Sequence, residues 1–169
     1  VAVTVVQTCA LPICRFAFLD GLDSEDNRER FRAFRDVLRE RELPFRRNDR
    51  FEGDWREKSG TQAARLLMLS EEMPEVLVAA NDMMAIGAIR KFRENGLRVP
   101  EDIAVCGYDD IIISKYLGLT TVSIPDYERG YLAAQSLIDI LEGEGDYETV
   151  RLGAQVKWRK SPGSFVEKS

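Results

Sequence analysis

The side chains best suited to chemistry in this 169-residue chain are an asparagine and an aspartate that each follow an apolar run. Residues 76–80 form a run of strand length that stops at Asn81-Asp82, and residues 103–106 form a second that stops at Gly107-Tyr108-Asp109-Asp110. Asn supplies donors and acceptors, and an ionised Asp supplies acceptors. Facing one crevice, the two suit a polyhydroxylated ligand. Removing a buried hydroxyl's partner typically costs about 1–3 kcal/mol, enough for such a pocket to tell related ligands apart. The same residue types also cap helices and form turns, and both positions allow that use. Trp55 is a further candidate, at the first turn of a predicted helix; an indole there either stacks on the apolar face of a sugar ring or packs on the surface of the fold. Arg30 lies on a predicted helix among Arg28, Arg32 and Arg35, a setting that reads first as a solvated face. Asp109 and Asp110 do not make a catalytic carboxylate pair, because neighbours along a strand point to opposite sides. With no His in the chain to serve as general base and no nucleophile motif, no enzyme is expected.

The elements that must position these residues follow from periodicity. Residues 83–95 have helical spacing, with Ala85, Ile89 and Phe92 on one stripe beside Ile86; Gly96 stands where a left-handed C-cap would, and Pro100 follows. A second, parallel strand needs a crossover helix, and this stretch has one. Asn81 and Asp109 therefore fall at the carboxyl ends of parallel strands, where open α/β sheets keep their ligand crevice. Residues 15–19 read as a strand ended by Asp20-Gly21, and residues 26–42 as a helix with Phe31, Phe34, Val37 and Leu38 buried. Leu43-Pro44 breaks that helix, and residues 45–51 are expected as an irregular strand. Asp54, with Glu57 three positions on, is expected to cap a helix reaching about residue 70 and burying Ala63, Ala64, Leu66 and Leu67. Residues 111–116 are a short apolar segment and 119–124 a strand. Asp126 is expected to cap a helix with the stripe Tyr131, Ala134, Leu137, Ile138 and Leu141, ended by Gly143, and residues 150–152 and 155–158 are candidate strands.

Composition bounds the function. The length suits one domain or one lobe of a larger protein, and 44% hydrophobic residues suit a packed core. A net charge of −5 argues against this chain clamping a nucleic-acid backbone. Absence of His removes the commonest transition-metal ligand, and Cys9, Cys14 and Cys106 have no metal spacing and form no disulfide framework. No cofactor or metal is expected. No run approaches the roughly 20 apolar residues of a membrane helix.

The stretch AANDMMAIGAIRKFRENGLRVPEDIAVCGYDD, followed by LGLTTV ending at Val122, resembles the effector-binding region of the lac repressor–galactose repressor family. The likeness runs from about residue 15 to 160, with several motifs in the family's order. It implies an α/β fold, a doubly wound parallel sheet of the periplasmic binding protein-like type I, and mostly its C-terminal lobe. It also implies the effector-binding domain of a cytoplasmic, homodimeric transcription regulator, whose small-molecule effector is a sugar or a related polar molecule and whose DNA contacts come only through an N-terminal helix-turn-helix outside this chain. A sugar-binding component of a transport system, of the same fold, is the alternative. The resemblance moves Arg30 into the site, because it matches a family Arg that reaches a sugar hydroxyl, although Ala33-Phe34 replaces the usual Gly-aromatic pair. It also places Asn81, Asp109 and, through EGDWREKSG, Trp55 on the ligand. Ile124 stands where the family often has Gln, so one wall should be less polar and a simple hexose is in question. Residues 126–153 are expected to pack on the N-terminal lobe, Ile86, Ile89 and Tyr116 to form a dimer seam, and residues 161–169 to be a tail. Residues 1–14 do not match; they resemble translated adapter sequence, the other reading being an edge strand over residues 1–6.

Overall fold

A computed structural model describes residues 15–143 and 149–162, so the readings made for residues 1–14 and for most of the tail lie outside the described residues. Strand β1 (Phe16–Leu19) leads into α1 (Glu25–Glu40), and a 3-10 turn (Arg47–Asp49) leads into β2 (Arg50–Phe51). Next come α2 (Glu57–Met68), β3 (Val76–Ala79), α3 (Asp82–Glu94) and β4 (Ala104–Asp109). The chain ends through α4 (Ile112–Leu117), β5 (Thr120–Ser123), α5 (Asp126–Glu142) and β6 (Gln155–Lys157).

The sheet order is β2-β1-β3-β4-β5-β6, with β1 to β5 parallel and β6 antiparallel to β5. From β1 the chain moves one way to β2 and then back across to β3, so the order reverses between β1 and β3. Right-handed crossovers then place α1 and α2 on opposite faces. The aromatic contacts agree: Phe34 of α1 lies 5.1 Å from Phe18 and 6.4 Å from Phe16, both on one face of β1. The other face is sealed by α2 and α3 over Leu19, Leu77, Ala79 and Val105. Glycine makes that seal possible. An added Cβ on Gly60 would meet the Met84 carbonyl oxygen at 1.9 Å, and one on Gly87 the Glu57 carbonyl oxygen at 2.0 Å, so α2 and α3 pack backbone to backbone.

Several boundaries differ from the sequence reading for identifiable reasons. Asp54 does not cap α2, which starts after Arg56; the intervening Trp55 has φ +68° and turns the chain before the helix begins. The Asp54 carboxylate instead accepts from the Arg56 N–H at 3.1 Å. Leu66 is 55% exposed, because the buried face is set by Gly60, Ala63, Ala64 and Leu67 and Leu66 points more than a quarter-turn away from it. Only Arg50 and Phe51 of the irregular 45–51 stretch pair with the sheet, and residues 150–152 do not join it. The 111–116 segment is the helix α4, exposing Ile112 and Tyr116. Ile89 is 2% exposed and belongs to the core, so it does not contribute to a surface seam.

Candidate functional site

Five loops leave the carboxyl ends of the parallel strands on one rim of the sheet, and four of the side chains singled out in the sequence come to that rim. Arg30 is the most firmly built. Its helix starts at Ser24, whose hydroxyl accepts from the Asn27 N–H at 3.2 Å, and this fixes the register that swings Arg30 over the β1–β3 switch point. Its Nη1 donates to the Ala80 carbonyl at 2.6 Å, and the guanidinium lies 3.8 Å from the centre of the Tyr108 ring and 5.6 Å from that of Trp55. Arg28 and Arg32, by contrast, are exposed and pair with their helix neighbourhood. The solvated-face reading thus fits those two and not Arg30.

Asp109 ends β4 with φ +108°, and Asp110 follows at φ +56°. Two successive non-glycine residues in left-handed backbone are costly and concentrate at functional sites. The Asp109 carboxylate is 3.6 Å from Arg30 Nη1, an ion pair too long to be a hydrogen bond, and it accepts no hydrogen bond among the described residues. Burial pushes its carboxyl up to about 6; the Arg30 charge works against that shift, and the Asp82 charge adds to it.

Asn81 is differently employed. Its Oδ1 caps α3 by accepting from the Met84 N–H at 2.9 Å, and its Nδ2 donates to the Trp55 carbonyl at 2.9 Å. One amide hydrogen and one lone pair remain for anything else. The bond to Trp55 latches the β2–α2 loop against the β3–α3 junction, and the indole packs on Gly21, where an added Cβ would meet the ring at 2.1 Å. Trp55 is therefore anchored on two sides, at the edge of the crevice.

Sequence reasoning did not single out Tyr108, the platform under Arg30, or the buried Asp82 beneath the rim. Alternation along β4 was the available signal for Tyr108, since it shares a face with Cys106. A cavity of about 480 Å³ runs from Arg30 and Tyr108 down the α1 face of the sheet, between Phe34, Val78, Cys106 and Ile124. Ile124 is part of its apolar wall, and its charged lining comes from Asp26, Glu29, Arg30 and Arg129. Among the described residues no group of three or more His, Cys, Asp or Glu is placed to hold a metal ion, and no helix is long and apolar enough to cross a membrane.

Comparison with known proteins agrees with this geometry. The family model for the periplasmic binding protein-like domain matches residues 13–162, and the chain belongs to that family. It is 34% identical over 143 residues to the HTH-type transcriptional repressor PurR of Aliivibrio salmonicida, covering 83% of this chain and 43% of that protein. It is 39% identical over 106 residues to a lactose operon repressor of Rhizobium radiobacter, covering 62% of this chain and 94% of that protein. A solved dimeric lac repressor superposes with a TM-score of 0.81 at 31% identity, covering 93% of this chain and 58% of that one. The chain thus spans less than half the length of the PurR repressor it matches.

Proposed function

We propose that this member of the periplasmic binding protein-like family is the effector-binding part of a transcription regulator of the lac repressor–galactose repressor kind, and that its rim binds a sugar or a related polar molecule. The observation that carries the reading is the Arg30–Asp109 pair: a charged donor stacked on Tyr108 faces a carboxylate that has no hydrogen-bond partner among the described residues, at the switch point of a parallel sheet. In this reading Asp109 accepts from ligand hydroxyls, Arg30 donates to a ligand oxygen, and Trp55 walls the sugar ring. Asn81 contributes mainly by holding Trp55 in place, with its spare donor free for the ligand. A lactose operon repressor among the relatives supports the sugar class, and repressor names among the relatives favour regulation over transport.

The exposed stripe of α5 then packs on the other lobe of the full-length regulator. Ile112 and Tyr116 of α4, with Ile86, form a homodimer seam, which the dimeric lac repressor neighbour supports. DNA is reached through a separate headpiece in the cytoplasm, and this chain performs no catalysis. Ligand closes the two lobes and shifts the headpieces, which requires unequal affinity for the two states. Calorimetric titration of the full-length regulator with mono- and disaccharides tests the reading: binding that Asp109→Ala weakens by about one to two decades is expected. Wild-type affinity in that variant would remove Asp109 from the site.

A further inference from the structure

Beneath the rim sits a charged group that the proposed site does not use. Asp82 is 0% exposed, yet α3 is already capped by Asn81, so capping does not account for it. Burial raises its carboxyl above the usual range, and a buried carboxylate is costly unless hydrogen bonds surround it. They do, from α4, from the residue that precedes it and from β5. Asp82 Oδ2 accepts from the Ser114 hydroxyl of α4 at 2.6 Å and from the Ile111 backbone N–H at 3.0 Å. Asp82 Oδ1 accepts from the Thr121 hydroxyl of β5 at 2.5 Å. The same Thr121 oxygen accepts from the Asp110 N–H at 3.3 Å. The backbone of β4 passes directly against this carboxylate, since an added Cβ on Gly107 would meet Asp82 Oδ1 at 2.2 Å.

These bonds converge on the left-handed pair at the rim. A backbone held at φ +108° and +56° by two aspartates persists only where its surroundings over-determine it. Here both N–H groups that follow Asp109 are secured: Ile111 directly by Asp82, and Asp110 by Asp82 through Thr121. The Asp110 carboxylate is tied separately to Arg159 at 2.6 Å. We infer that Asp82 is a positioning residue for the effector site: through the Ile111 N–H and the Thr121 hydroxyl it holds the left-handed Asp109–Asp110 turn so that the Asp109 carboxylate stays opposite Arg30. The inference rests on the effector-site reading above. It also gives a physical reason for the ordered set ND, GYDD and LTTV, because Asp82, Asp110 and Thr121 come from the three motifs and close one network.

The test uses the full-length regulator, with D-glucose, D-galactose, D-ribose, cellobiose and maltose as probes; the tightest binder to the wild type is carried forward. Calorimetry gives affinity and stoichiometry, so only folded, competent protein is compared. Asp82→Ala removes every acceptor and is expected to weaken the probe about tenfold or more. Asp82→Asn can keep an oxygen on the Ile111 N–H and turn its amide toward Thr121, so it should stay within about threefold of the wild type. If Asp82 acts through Asp109, then in an Asp109→Ala background Asp82→Ala should change affinity by no more than about twofold. Rescue by Asn together with this loss of effect supports the proposal. Wild-type affinity in folded Asp82→Ala overturns it, and so does an undiminished loss in the Asp109→Ala background. Should Asp82→Ala not fold, Thr121→Val, which strips the hydroxyl from the network, is expected to weaken the probe about threefold; wild-type affinity there also overturns the proposal. An Asp109→Ala variant with unchanged affinity, or a wild type that binds none of the probes, instead defeats the underlying site reading, and the inference falls with it.

Discussion

Helices α3 and α5 both follow strands of one sheet and both carry an apolar stripe, but α3 buries seven of its 13 residues and α5, among the described residues, none of its 17. Tyr127, Tyr131, Leu137, Ile138 and Leu141 all stand exposed along α5. The rim repeats the contrast on a smaller scale. Asn81 and Asp82 are satisfied inside the fold, whereas Asp109 is held next to a cation and, among the described residues, left without a hydrogen bond. What the fold has satisfied within itself is its scaffold. What it leaves open among the described residues is an apolar stripe and a carboxylate, the two features on which the proposed function rests.

The contrast can be broken most directly by deleting side chains from the two helices. Phe92→Ala empties a fully buried site and should lose about 3–5 kcal/mol in urea unfolding of this chain. Leu137→Ala should stay within about 0.5 kcal/mol. Comparable losses would mean that α5 packs locally after all.

At the rim, Asp109→Ala in the full-length regulator should reduce sugar affinity by about 1–3 kcal/mol without lowering the unfolding temperature. Asn81→Ala should do the reverse in large part, lowering stability by about 0.5–2 kcal/mol through the lost cap and latch. Calorimetry and thermal unfolding on the same two proteins separate the roles, and identical profiles would erase the distinction.

A smaller effect concerns pH. The Asp109 carboxyl titrates at about 6 in the fold against an ordinary value of 3.8. The folded state therefore binds its proton more tightly than the unfolded state. The resulting stability is fully present below about pH 4 and is lost as pH rises through about 6. Ligand binding runs the opposite way if Asp109 acts as an ionised acceptor, weakening as pH falls through 6. Asp109→Asn should flatten the stability difference between pH 4.5 and 7.5, measured as the shift in melting temperature; an unaltered pH dependence would place the titration elsewhere.

The smallest effect on stability should come with a visible change in association. Leu141→Glu should leave the unfolding midpoint of this chain nearly unchanged and lower its self-association in sedimentation, because an exposed apolar stripe favours non-specific contact. Undiminished association would point to α4 instead.

Much of this was legible from residue order alone. The strand–helix–strand unit at residues 76–110, the left-handed Gly96 after α3, the end of α5 at Gly143, and the placing of Asn81 and Asp109 past strand ends all follow from local periodicity and capping chemistry. The start of α2 did not, because Trp55 takes a left-handed turn that its own side chain disfavours and that the Asn81 bond and the Gly21 contact support.

The sequence by itself determined the order of the main strands and helices, the family and the positions at which polar side chains emerge, since those depend on spacings of a few residues. Tertiary structure alone decided which of those side chains are already spoken for. Asn81 and Asp109 look equivalent in the chain; one is tied to Met84 and Trp55, the other is left beside Arg30 on Tyr108. Hydrogen bonds such as that from Thr121 to Asp82 join residues 39 positions apart, and no local pattern encodes them. Whether an apolar stripe is a core or an open face likewise depends on what lies opposite, which is why α3 and α5 read alike in sequence and differ completely in the fold.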